Sequence, residues 1–337
     1  MAGIIISKGS GLNDNMWKDT GTAVTNWMED VEKEKTKFDD ELESIFTVEK
    51  SEKWAEKSSG ITGLGDFQPT KEGENAPLDD VQEGYPKLIE HEAFTKKTII
   101  TAEMKEDNRV NEMINRAKSL VHSYKRTRCK FGEAALIGGI TGSFVFGEQA
   151  KSFDATTGDG QALFSTAHPG KKYGSTQSNK FSNELGSDAT ILYTLASIGF
   201  NFRNDSGEKC GYVFDTIYIP SNRPAMKDFL ERMIHSSQIV GSGNNDINTQ
   251  KGKWKLVPLT YWDAASGTNP YILGSSEFQK EFDASIFYDR TPLIVKDFLN
   301  TNNFNLEFTG RFRMSCGFRD WRHLIVGGIA GATDATA

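Results

Sequence analysis

The chain is poor in cysteine and histidine, and it has no long apolar run. Its three cysteines, Cys129, Cys210 and Cys316, lie far apart among 337 residues and form no CxxC pair. That excludes a disulfide framework and fits small buried hydrophobes in a reducing compartment. The five histidines, His91, His122, His168, His235 and His323, stand away from every cysteine, so no metal-ligand spacing arises. No stretch approaches the roughly 18 apolar residues that span a bilayer. The run Ile4-Ile5-Ile6 ends at Lys8, too short for the core of a signal peptide. A soluble chain made in a cytoplasm is expected. There is also no basic surplus: 39 Lys and Arg against 46 Asp and Glu leave a net charge of −7, which argues against a general nucleic-acid binder. Hydrophobic residues make up 37%, enough for a core but low enough to suggest that part of the chain is extended or buried only in an assembly.

Catalytic signatures are missing too. Gly60 to Gly65 (GITGLG) imitates a phosphate loop, but no Lys-Ser/Thr follows and no strand–helix context frames it. Glu90-His91-Glu92 has no second histidine at helical spacing; Thr95 and Lys96 stand there instead. Ser165 is outside a GxSxG elbow. His168 precedes Pro169, which holds it extended rather than posing it as a base. Any two of the many acids could meet as a hydrolase pair, but nothing in the pattern points to one. No enzyme, metal or cofactor is expected.

What is present is a series of unlike segments. Residues 1–50 form an acidic leader in which Val24, Trp27, Met28 and Val31 recur at helical spacing. That stripe is too narrow to make a core alone. Residues 51–102 carry strand character at both flanks, Trp54–Ile61 and Leu88–Ile100. Between them glycine and proline break any helix. The pattern predicts a long polar hairpin, which is marginal in water without a partner. From Asp107 to Ile137 apolar residues recur every three or four positions, predicting a spine helix of about 45 Å. Its polar side holds Lys125, Arg126, Arg128 and Lys130, a patch that could meet phosphate or a neighbouring subunit. Helices are expected over 188–201 and 224–236. Strands are expected over 214–220, 254–261, 271–274, 286–295, 304–318 and 323–329. In the run 304–318, Leu306, Phe308, Phe312 and Met314 alternate with Glu307, Thr309, Arg311, Arg313 and Ser315, giving one apolar and one polar face. Together these elements predict an α+β chain.

The stretch Leu163 to Asn179, LFSTAHPGKKYGSTQSN, follows the spine helix. With the closing FRMSCGFRDWRHLIVGG it resembles the "LFS-x-x-HP … SN" segment and the R-x-R … R-D-W-R close of tailed-bacteriophage major capsid proteins of the Hong Kong 97-type fold. The likeness extends from about residue 20 to 329 and is greatest to Mu-like head subunits. It implies an N-terminal arm (1–50), an extended loop (51–102), a peripheral domain with the spine helix (103–187), an axial domain (188–279) and peripheral β strands with a tail (280–337). It implies subunits that assemble into hexamers and pentamers of an icosahedral head around double-stranded DNA, in the host bacterial cytoplasm. A portal is an implied partner; residues 1–50 are too short to hold a scaffolding region, so the resemblance implies either a separate scaffolding protein or a propeptide already removed, the latter disfavoured by Met1. Lys53, Lys57 and Lys71 lie on the hairpin but no matching motif accompanies them, so no covalent cross-link is expected. Rival readings are a tail-tube or adaptor component, or a hydrolase.

Contacts between subunits are expected at Trp27, Met28 and Val31 of the arm and at Trp54, Lys57, Lys71, Glu72 and Tyr85 of the loop. Arg126 and Arg128 of the spine and Arg311, Arg313, Arg319 and Arg322 of the terminal strands are expected to meet acids of neighbours. Ser242, Asn244, Asn245 and Asp246 are expected in a loop at the capsomer centre. Gly60, Gly84 and Gly138 are candidate hinges.

Overall fold

The computed structural model describes residues 28, 30–61, 67–76, 78, 83–107, 109–170, 176–185, 190–205, 207–238, 247–332 and 334–335. The described chain divides into two compact units. The first holds residues up to Lys37, Ala93–Thr127 and Thr291–Arg313; the second holds Phe38–Glu92, Arg128–Arg290 and the residues from Met314 on.

In the first unit, the early turns of helix α3 (Val110–Gly138) present an apolar face to a β-sheet. A short helix, α2 (Ala102–Glu106), precedes it, capped by Thr101, whose hydroxyl accepts from Met104 N at 3.4 Å. The spine helix thus starts three residues later than the apolar period predicts. The sheet is built from β4 (Glu92–Ile100) and the outer parts of β12 (Ser285–Asn300) and β13 (Asn305–Phe318). Met113, Ala117, Leu120 and Val121 of the helix meet Leu306 and Phe308 of β13, with Ile100 and Met104 beside them. The alternation of β13 holds where it matters: Phe308 is fully buried and Arg311 exposed. Glu307 departs from it, being buried and ion-paired to Lys97. Met28 closes the same core at 1% exposure, with Val31 packed against it.

The second unit is built on a sheet of order β10-β9-β11-β14. Strand β9 (Thr216–Pro220) runs parallel to β10 (Lys255–Leu259) and antiparallel to β11 (Tyr271–Gly274), which pairs with β14 (Leu324–Gly327). All residues of β9, β11 and β14 are buried, so these strands read as continuous apolar runs rather than alternations. Helices α4 (Thr190–Phe200) and α5 (Pro224–His235) bury Leu192, Leu195 and Leu230. α5 opens on Pro224 and carries Arg232 and His235 in its last turn, the order the helix dipole favours. A further helix, α6 (Ser276–Phe282), capped by Ser275, lies within the C-terminal third, which the alternation had given to strands alone.

The hairpin of 51–102 forms as β2 (Ala55–Ile61) and β3 (Glu83–Glu90), antiparallel with a register shift between Ser59 and Ile61. His91 then separates β3 from β4, so the predicted strand over 88–100 is two strands. The acidic leader contributes helix α1 (Lys37–Ile45) and strand β1 (Thr47–Lys50), which lies parallel to β12 from Ile286 to Asp289. The hairpin β5 (Ser143–Phe146) and β6 (Lys151–Asp154) packs Phe144, Phe146 and Phe153 around Phe131 of α3. Gly138 serves that packing: an added Cβ would sit 2.5 Å from the Phe144 Cβ. It marks a close approach of the helix end to the hairpin.

Stability should follow this partition. Phe308→Ala should cost about 3–5 kcal/mol, read as a lower urea midpoint at unchanged slope. Phe298→Ala, at a side chain 65% exposed, should change it by no more than about 0.5 kcal/mol.

Candidate functional site

The segment that carried the sequence signature is buried at its key positions. Leu163 and Phe164 are inside, and so are His168 and Asn179, both at 0% exposure. His168-Pro169 forms a short strand, β7, against Thr176-Gln177, β8. Asn179 directs its Nδ2 hydrogens to the carbonyls of Leu163 (2.9 Å) and Leu324 (3.1 Å), while its Oδ1 accepts from Ser165 N (2.9 Å). Those backbone partners fix which end of the amide is which. The His168 Nε2 at 3.2 Å from that same oxygen must then donate. Its Nδ1 faces the Asp159 carboxylate at 2.7 Å. Both ring nitrogens thus address acceptors, and the Asp159 carboxylate lies buried against the imidazole. Burial alone would raise the Asp159 carboxyl; the hydrogen bonds from His168 and Thr157 outweigh it and hold that group below its ordinary range.

The closing signature meets this segment directly. Trp321 stacks on His168, ring centroids 4.2 Å apart and planes 7° apart. Arg322 donates from Nε to Arg203 O (2.8 Å), from Nη1 to Asp320 (2.7 Å) and from Nη2 to Asp205 (2.7 Å). Its guanidinium also lies 4.9 Å from the Trp321 ring centroid. Asn179 O accepts from Val326 N, and Phe181 N donates to Val326 O, so the segment extends the β14 edge. The two signatures are one polar knot. Among the described residues, its histidine meets the Asp159 and Asn179 side chains, and Asn179 in turn positions backbone.

The residues expected to face neighbours divide in two. Trp54, Lys57, Lys71, Glu72, Arg126 and Arg311 are exposed. Tyr85, Arg313 and Arg319 are half-buried, Arg319 donating to the Tyr288 hydroxyl at 2.6 Å. Three correct the expectation. Met28 belongs to the subunit's own core, with Val31 against it, because the narrow stripe of the leader is covered by α3 and β13. Arg128 is held between Asp39 (3.5 Å) and Asp289 (2.5 Å). Arg322 is spent within the knot. A buried guanidinium needs an anion in reach, and these two have theirs in the same chain. The basic patch of the spine is likewise dispersed: Lys125 is buried and donates to Glu34 O. Trp27 and the loop of Ser242, Asn244, Asn245 and Asp246 lie outside the described residues. Sequence reasoning passed over Asp159, Asp205 and Asn179 as partners; the fixed HP…SN spacing was the signal for the last.

No family model matches the chain, and no curated protein matches it by sequence. Solved structures do. A chain from Mycobacterium phage Patience superposes at a TM-score of 0.53 with 12% identity, covering 98% of this chain and 92% of the other. The fold is a phage capsid fold. A chain from the capsid of a native GTA particle agrees, at a TM-score of 0.50 and 10% identity over 85% of this chain and 89% of its own. At such identities the capsid fold is held by the pattern of buried positions rather than by shared residues.

Two expectations test the knot. Asn179→Ala strands buried carbonyls and should lower stability by about 2–4 kcal/mol in urea titration. The Asp159 contribution is complete above the ordinary carboxylate range near pH 4 and is lost as pH falls through the lowered folded value. Asp159→Asn should therefore flatten the acid limb of the stability–pH curve.

Proposed function

We propose that the chain is the major capsid subunit of a tailed phage, a structural protein without catalytic activity, with the Hong Kong 97-type organisation. In this reading it assembles in the host cytoplasm into hexamers and pentamers of an icosahedral head enclosing double-stranded DNA, with a portal and a separate scaffolding protein as partners. The observation that carries it is the match to a phage chain over nearly the whole length of both partners. Residues 1–50 are the arm, 51–102 the extended loop, 103–187 and 280–337 the peripheral domain, and 188–279 the axial domain.

The physical support lies in what the subunit leaves uncovered. The described loop residues 67–76 and 78 are all exposed, including Phe67 and Leu78 at essentially full exposure. The face of β12 turned away from the first core exposes Ile294 and Phe298, and Arg311 is exposed on the adjacent β13. Apolar side chains left in water on an extended strap favour burial against another copy. Exposed arginines beside them suit the acids Glu72 and Glu74 of such a strap.

Electron microscopy of the purified protein tests the reading: closed shells support it, whereas tubes or dispersed monomers refute it. Deleting Gly60 to Gly84 should leave a folded, soluble subunit that forms no shells. Arg311→Glu should block assembly of empty shells. Empty shells that form normally while only filled particles are lost would assign Arg311 to DNA.

A further inference from the structure

We propose that Glu41 and Glu133 form a proton-operated clasp that fastens helix α1 to helix α3. The two carboxylates come from different helices, and their oxygens lie with the Cys129 sulfur in a cluster whose atoms are all within 4.8 Å of one another. Glu133 is fully buried. Neutral donors meet both acids. Tyr261 N donates to Glu133 Oε2 at 2.7 Å and the Thr260 hydroxyl to Glu41 Oε1 at 2.8 Å. The Cys129 thiol lies 3.1 Å from Glu133 Oε1 and 3.5 Å from Glu41 Oε2.

Two basic side chains of α3 beside the pair are engaged elsewhere. Arg128, one position before Cys129, is taken by Asp39 and Asp289. The Lys130 ammonium lies over the Tyr261 ring, 6.0 Å from its centroid. Glu41 on α1 and Cys129 on α3 are the titratable side chains that face Glu133. Burial, then the two acids, drives the Cys129 thiol far above its ordinary range, so it stays a donor and supplies no thiolate.

Glu133 is buried and Glu41 stands half-buried beside it, so ionising Glu133 there meets both lost hydration and a neighbouring acid. Burial, reinforced by Glu41, raises the Glu133 carboxyl to about 7. The sign follows from linkage. Between the ordinary Glu value and about 7 the folded chain binds more protons than the unfolded one, so stability falls as pH rises through that window and levels off above it. The cost falls on α1, whose other moorings lie beside the pair. Leu42 and Phe46 seat over Gly132, where an added Cβ would come within 2.6 Å of Leu42, and Phe38 stacks on Tyr261 at 6.2 Å. Deprotonation should loosen that seat while the β9–β11 core stays intact.

Hydrogen exchange on the full chain at pH 6 and pH 8.5, corrected for intrinsic rates, reads this directly. The amides of 38–46 should lose at least tenfold protection at the higher pH, and those of 216–220 should lose none. Glu133→Gln, which keeps the shape and removes the charge, should hold 38–46 protected at pH 8.5; Glu41→Gln should do the same and serves if the first variant does not fold. In infrared difference spectra a protonated carboxyl band should vanish between the two pH values and be absent from Glu133→Gln. Equal protection of wild type at both pH values, a glutamine variant that loosens as wild type does, or the lack of a vanishing band would overturn the proposal.

Discussion

A buried carboxamide has to place two N–H donors and an oxygen, and Asn179 places them all on backbone. Through it the loop-rich segment after the spine is tied to the strand that closes the second sheet. Few local contacts could hold that segment otherwise. Its own strands, β7 and β8, are two residues each. A polar group costs stability when buried unpaired and confers specificity when every partner is supplied. His168 and Arg322 repeat the solution with carboxylates. Each is inside, with Asp159 against the imidazole and Asp205 and Asp320 against the guanidinium.

That economy explains how much could be read in advance. Long periodic elements declare themselves: the spine helix and the alternating β13 follow from spacing, to within a few residues at their ends, whereas the hairpin's second flank is divided at His91 into β3 and β4. Short elements do not. α6 and the β5–β6 hairpin are too brief for a period, and the hairpin's aromatic packing depends on Phe131, distant in sequence. The signature LFSTAHP…SN located the knot without revealing what it binds, because Asp159 and Asp205 are ordinary acids until the fold brings them to His168 and Arg322.

The arginines show where residue type alone misleads. On a strand, alternating arginine looks like a surface destined for a partner. Arg311 conforms, but Arg128 and Arg322 are enclosed by Asp39, Asp289, Asp205 and Asp320. An arginine's destination depends on whether an acid from the same chain reaches it first, which is a tertiary fact. The partition also separates labour: enclosed guanidinium groups set the fold, and exposed ones remain available for association.

The pairing of Asn179 with Leu324 carries a consequence for how the chain is made. Translation presents Leu163 to Asn179 long before β14 emerges. Until then the carboxamide lacks its acceptor on Leu324, and β11 has one side open. Contacts of such separation form late and slowly. The second sheet is therefore complete only when the distant strand arrives. A nascent chain interrupted before Leu324 lacks both the edge that closes β11 and the carbonyl that anchors Asn179.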